Sequence, residues 1–116
     1  MTDVTVFEKP TCTTCRNLFK LLTENGVEAD RIDYQVLGLT RAQLDEIVEK
    51  SGLSPRQLLR TKEPEYKQLG LNDSTVTDDG ILKAMVAHPA LLERPVVIKG
   101  GRAVLARPAE KVLELF

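Results

Sequence analysis

Cys12 and Cys15, separated by two threonines in Thr11-Cys12-Thr13-Thr14-Cys15-Arg16, are the side chains of this sequence best suited to covalent chemistry. A C-x-x-C pair either binds a metal or exchanges electrons, and its surroundings decide which. Val4-Thr5-Val6-Phe7 is a β-prone run closed by Pro10. Just beyond Cys12 a helix is expected, because Cys15, Leu18, Phe19 and Leu22 fall at i, i+3, i+4 and i+7, with Asn25-Gly26 as the stop. Cys12 then caps a helix N-terminus, where unpaired N–H groups and the helix dipole favour a thiolate, the nucleophilic form. Arg16 adds a fixed positive charge one turn on. Cys15 lies on the apolar face with Leu18 and Phe19 and should be more buried and less reactive.

Two other readings of the pair are weaker. A structural zinc site needs four ligands, and beyond the cysteines the chain offers a single histidine, His88, placed before a proline at a helix end. A metal shared across a dimer is the remaining route to zinc, and no metal is expected. Two small side chains that merely fill space would suit Cys15 better than Cys12.

The elements that position the pair can be followed along the chain. Ala29 to Tyr34 reads as a second strand with Ile32 and Tyr34 on one side, so the first thirty-odd residues form a βαβ unit with parallel strands. Thr40 and Gln43 make a capping box ahead of a helix ended by Ser51-Gly52. Ser54-Pro55 with Gln57 repeats that start signal, and Thr77-Asp78-Asp79 opens a further helix closed by Pro89. Gly100-Gly101 between Val96-Val97-Ile98 and Ala103-Val104-Leu105 predicts a hairpin. From Arg107-Pro108 a last helix is expected, with Val112, Leu115 and Phe116 on one face. The fold class is α/β. The order βαβ, helical insertion at about 38–92, then ββα is a thioredoxin-like plan with a mixed four-stranded sheet.

In that plan the loop before the third strand lies beside the first helix's N-terminus, and its proline, here Pro95, is commonly cis. Arg94 would therefore come close to Cys12. Arg60, which follows Leu58-Leu59, and Arg107, which precedes Pro108, are further candidates. Taken singly, each arginine is best read as a solvated surface charge. Together beside a thiolate, they present forks matched to a tetrahedral oxyanion.

Composition narrows the function classes. In 116 residues, 16 Lys and Arg balance 17 Asp and Glu for a net charge of -1, which argues against non-specific nucleic-acid binding. With 42% apolar and 28% charged residues the chain reads as one globular domain, 1–116, large enough to fold without a metal or disulfide staple. Met1-Thr2-Asp3-Val4 shows no secretory pattern, and apolar runs fall far short of the ~20 residues that span a bilayer. A cytoplasmic, reduced location is expected, with no membrane and no nucleic-acid partner, and a monomer is expected.

Several segments in order resemble the glutaredoxin-coupled arsenate reductase (ArsC-like) family, which also contains the Spx-type transcriptional regulators. They are Val6-Phe7-Glu8-Lys9-Pro10-Thr11-Cys12, Cys15-Arg16-Asn17, Leu58-Leu59-Arg60, Leu69-Gly70-Leu71, Thr77-Asp78-Asp79, His88-Pro89, Glu93-Arg94-Pro95-Val96-Val97 and Arg107-Pro108. The resemblance covers nearly the whole chain. It implies reduction of arsenate to arsenite, with Cys12 as nucleophile and Arg60, Arg94 and Arg107 as oxyanion ligands. No tightly bound cofactor is implied; glutathione with glutaredoxin, or thioredoxin, would serve as thiol co-substrate. This chain departs from many family reductases at Glu8 and Lys9, where those carry histidine and asparagine, and at Cys15, where they usually carry a serine-like residue. Glu8 would oppose a Cys12 thiolate and Lys9 offset it, while Cys15 would resolve the adduct internally and favour a thioredoxin-type reductant. Two alternatives share the fold. Spx-type regulators use a C-x-x-C as a redox switch and bind the RNA polymerase α subunit, and a general thiol-disulfide oxidoreductase would use the arginines for a carboxylate.

Overall fold

A computed structural model describes residues 3–116, so the reading of Met1 and Thr2 lies outside the described residues. Strand β1 (Val4–Glu8) runs through the middle of a four-stranded sheet of order β2-β1-β3-β4. Helix α1 (Thr13–Glu24) carries the chain across to β2 (Asp30–Asp33), which pairs parallel to β1 from Thr5 opposite Asp30 to Glu8 opposite Asp33. On the other side, β3 (Val96–Lys99) pairs antiparallel with β1, and the Gly100-Gly101 turn returns it as β4 (Arg102–Leu105). Gly100 takes φ 59°, the left-handed conformation that a tight hairpin turn assigns to glycine.

Alternation along β1 divides the core. Val4 and Val6, with Val97, pack under Leu18 and Leu22 of α1 and Val112 and Leu115 of the C-terminal segment. Phe7, with Val96 and Ile98, faces the helices inserted between β2 and β3. Those are α2 (Tyr34–Leu37), α3 (Arg41–Ser51), α4 (Pro64–Gln68) and α5 (Asp78–Ala87), followed by a 3-10 turn at Pro89–Leu91. Among the described residues no helix is long and apolar enough to cross a membrane.

The cap signals give the correct start for two of the inserted helices and fail at a third place. Thr40 and Gln43 close the expected capping box on α3, and Thr77 Oγ1 accepts the Gly80 N–H at the start of α5. Ser54 and Gln57 close the same reciprocal pair, at 2.9 and 3.3 Å, yet no helix follows. The reason is tertiary. Leu58 and Leu59 are drawn into the core, and Leu59 bridges antiparallel to Leu92, which pulls the backbone out of helical register after one turn.

Other expectations are corrected more mildly. The second strand stops at Asp33, because Tyr34 turns inward as the first residue of α2, buried with its hydroxyl donating to the Leu92 carbonyl at 2.6 Å. The helical region thus opens at Tyr34 rather than near residue 38. Helix α4 was not anticipated, since its five residues are too few for a periodic signal. The last helix is a 3-10 helix, Ala109–Leu115. Val112 and Leu115 are buried in it, whereas Phe116 is exposed. Phe19 on α1 also differs from its apolar neighbours. It is half exposed, and Arg31 covers its ring at 4.1 Å.

Candidate active site

Pro10 ends β1, and a tight turn in which the Cys12 N–H reaches the Lys9 carbonyl at 2.9 Å lifts Cys12 to the N-cap of α1. Both cysteines are reduced; Cys12 is half-buried and Cys15 fully buried. Burial pushes the Cys12 thiol up, but the backbone N–H of Cys15, the Cys15 side chain, the Arg107 guanidinium and the Thr14 N–H outweigh it and bring the thiol down to about 7. No regular capping hydrogen bond closes on the sulfur, so the helix terminus acts through the field of its free N–H groups. Near neutrality a substantial share of Cys12 is therefore thiolate. Cys15 goes the opposite way. Burial pushes it up to about 12, against the Lys9 backbone hydrogen bond and with help from the charges of Cys12 and Glu8.

Arg94 is brought in by two backbone connections. The Glu93 N–H donates to the Leu58 carbonyl at 2.8 Å and the Arg60 N–H to the Leu91 carbonyl at 2.7 Å, so the segments carrying Arg60 and Arg94 run side by side across the Leu59–Leu92 bridge. The Arg94–Pro95 bond is cis, as the sequence led us to expect at this loop, and Arg107–Pro108 is cis as well. Beyond them, Pro95 is buried and its carbonyl accepts the Ala106 N–H at 2.9 Å, which sets Arg107 next to Arg94. Arg107 Nη1 then donates to the Arg94 carbonyl at 3.1 Å.

Arg94 is only 4% exposed, unusual for an arginine. Its guanidinium lies against the Tyr34 hydroxyl and the Cys12 sulfur, and these raise its proton affinity against the opposing effect of burial. Its Nε and Nη1 atoms are buried without a hydrogen-bond partner, the nearest carboxylate being Glu63 at 3.6 Å from Nη1. Two unpartnered N–H donors on a buried cation beside a thiolate are costly to stability. Their chemistry suits a ligand with several acceptor oxygens.

Arg60 joins the cluster differently. Its Nε donates to Glu63 at 3.0 Å and its Nη1 to Glu93 at 2.6 Å, so these two nitrogens are already engaged with carboxylates. Glu93 also accepts the Arg94 backbone N–H at 3.3 Å. Cys12, Cys15, Arg94, Arg107 and Pro95 thus converge, and Arg60 is linked to them through carboxylates. Arg16 is a solvent-exposed side chain whose backbone N–H donates to the Cys12 carbonyl at 3.0 Å. The groups that lower Cys12 are its neighbours Cys15, Arg107 and Thr14. Glu8 does not confront Cys12 as an unpaired charge, because it is buried and ion-paired with Arg31.

The sequence gives little sign that Glu63, Glu93 and Tyr34 belong to the site. Only the Arg60-x-x-Glu63 spacing carries a local hint; the other contacts join residues more than thirty positions apart, beyond any periodic pattern.

Residues 7–115 match the model of the ArsC family. The uncharacterized protein YfgD of Escherichia coli K12 is 39% identical over 114 residues, covering 97% of this chain and 96% of that one. An arsenate reductase of Neisseria meningitidis is 37% identical over 113 residues, 97% of each chain. The solved structure of an arsenate reductase from Vibrio cholerae matches with a TM-score of 0.93 at 36% identity, over 97% of both chains. The four-stranded sheet with its helices is that of a thioredoxin-like fold, and the chain belongs to the ArsC family.

Proposed function

We propose that the chain is a thiol-dependent arsenate reductase in which Cys12 is the nucleophile, Arg94, Arg107 and Arg60 hold the oxyanion, and Cys15 resolves the adduct. The observation that carries this reading is the pairing of an acidified Cys12 with the unpartnered Nε and Nη1 of buried Arg94. A thiolate and an arsenate anion repel each other, and a fixed guanidinium between them removes that barrier. Arg107 lies next to both Arg94 and Cys12 and serves the same end. Arg60 reaches the oxyanion with the guanidinium nitrogen that Glu63 and Glu93 leave over, and those two carboxylates fix its position.

In the first step the Cys12 sulfur attacks arsenic, an S–As bond forms, and one oxygen leaves as water after protonation. In the second step the Cys15 sulfur attacks the Cys12 sulfur. An S–S bond forms, the S–As bond breaks with its electron pair passing to arsenic, and As(V) becomes As(III) while the two thiols become a disulfide. A dithiol reductant of the thioredoxin type, or glutathione with glutaredoxin, then returns both cysteines to thiols by exchange.

Arsenate-dependent NADPH oxidation tests the reading, run once with a thioredoxin couple and once with a glutathione–glutaredoxin couple. Turnover in the native protein and its loss in Cys12→Ser are expected, with preference for the thioredoxin couple. Absence of turnover with both couples would refute the substrate assignment.

A further inference from the structure

Behind the cysteine pair lies a set of groups that this scheme leaves unused. Glu8 falls on the same side of β1 as Val4 and Val6, where a third apolar residue would continue the stripe beneath α1. It is instead a carboxylate only 2% exposed. Arg31 of β2 binds Glu8 Oε1 and stacks on Phe19, which holds the carboxylate in place. Glu8, Arg31 and Cys15 line one cavity of about 20 Å³ with Val6, Leu18 and Phe19, room for a single water molecule. Cys12 does not line it. An ion pair whose carboxylate is buried while its guanidinium stays partly in solvent is weak as a stabilising device, because desolvating the carboxylate offsets the attraction.

Cys15 poses the problem that such a carboxylate solves. The thiol has no exposed surface, so neither hydroxide nor a buffer base reaches it from solvent. In the resting protein the Cys12 thiolate helps to keep it protonated, and that influence ends when Cys12 is capped by substrate. The charged groups facing Cys15 are then Glu8 from β1 and Arg31 from β2, and the buried phenol of Tyr34 from α2 also feels the Cys15 charge, with its own hydroxyl committed to the Leu92 carbonyl. Asp33, the register partner of Glu8, lies on the same side with Oδ1 buried and without a hydrogen-bond partner, and Lys9 offers its backbone.

We propose that Glu8 is the proton acceptor for Cys15 in the resolving step, the proton passing across the cavity that the two side chains share. The inference rests on the reading of Cys15 as the resolving thiol. As the Cys15 S–H bond breaks, its proton goes to the Glu8 carboxylate and its sulfur bonds to Cys12. The bond from Cys12 to the substrate atom breaks with its electron pair leaving on that atom. The proton returns to Cys15 when the disulfide is reduced. Arg31 is a positioning residue for the carboxylate.

The test uses dithiobis-nitrobenzoate, which reports the two cysteines in turn. Attack by Cys12 releases one coloured thiolate and leaves a mixed disulfide, and attack by Cys15 releases the second. In Glu8→Gln, which keeps the shape and an acceptor for Arg31, the second release is expected to slow about 10²-fold at neutral pH. The deficit should close as pH rises, because hydroxide entering during local opening takes over from the missing base. The first release is an internal control for folding and for Cys12. An unchanged second release, or one slowed equally at every pH, overturns the proposal. Should Glu8→Gln not fold, Glu8→Asp retains the carboxylate one methylene short and is expected to give a smaller deficit with the same pH trend; a native rate or a pH-independent loss there overturns it equally. No arsenate is present, so failure of arsenate turnover in the native protein leaves this inference standing. Normal turnover with a Glu8-independent second release does the reverse.

Discussion

Cys12 and Cys15 belong to the same turn of the same helix, yet their thiols are held at about 7 and about 12. Residue type and helix are shared, so the difference comes from what each sulfur faces. Cys12 faces free N–H groups and the Arg107 and Arg94 guanidinia. Cys15 faces Leu18, the Glu8 carboxylate and the Cys12 sulfur itself. The pair teaches that a C-x-x-C motif is two chemically different groups, one prepared to attack and one kept in reserve.

The largest effect is expected from Cys12→Ser, which leaves Cys15 as the only thiol. The thiolate fraction at neutral pH drops by about four to five orders of magnitude between the two environments, while the higher basicity of the Cys15 thiolate returns about two of them as nucleophilicity. Removing Cys12 also lifts its share of the upward push on Cys15 and narrows that gap, while the burial of Cys15 widens it, so alkylation by iodoacetamide should be at least about 10²-fold slower than in the native protein. Comparable rates in the two proteins would mean that the contrast does not exist in solution.

Next comes Arg94→Met, which removes the buried cation beside Cys12. Loss of a charge placed to receive an oxyanion is expected to reduce arsenate turnover about 10²-fold. Stability should move the other way or stay level, because two buried N–H donors without partners disappear along with the cost of burying the charge. A melting temperature at or above native, combined with collapsed turnover, is the expected signature. A lowered melting temperature would instead assign Arg94 a structural role through Glu63 and Tyr34. Arg107→Gln should act more gently, on Cys12 alone among several contributors. The midpoint of its alkylation against pH should move upward, with about a threefold lower rate at slightly acid pH.

How much of this was legible in the sequence follows from the range of each interaction. The i, i+3, i+4, i+7 spacing of Cys15, Leu18, Phe19 and Leu22 marked α1, and the cap at Cys12 marked the lowered thiol, because the helix pattern and the Cys15 and Thr14 contacts lie within a turn, whereas the Arg107 contribution comes from far along the chain. Arg94 beside Cys12 followed from the βαβ and ββα order alone. The false helix start at Ser54 shows the limit of the same logic: the local capping pair formed, but the burial of Leu58 and Leu59 decided the backbone. Glu8 was read as opposing Cys12, whereas Arg31, 23 residues away, takes up its charge. Glu93 on Arg60, 33 residues apart, is of the same kind. No sequence period links such partners, so ion pairs between elements stayed invisible even where the elements themselves were correctly placed.

The smallest effect concerns stability, and it separates the two cysteines by sign. An unfolded thiol titrates near 9. Cys12 is lower in the folded chain, so between about 7 and 9 the unfolded state binds more protons and stability rises with pH until the gain is complete above 9. Cys15 is higher in the folded chain, so between about 9 and 12 the folded state binds more protons. Its contribution, fully present below 9, is lost across that window. Comparing native protein with Cys15→Ala by urea unfolding at a series of alkaline pH values isolates the second term. The native protein should lose stability more steeply, by up to about 1.4 kcal/mol per pH unit, which is the slope for one retained proton. Parallel slopes above pH 9 would mean that Cys15 ionises as freely folded as unfolded, and a thiol of that kind needs no internal proton acceptor.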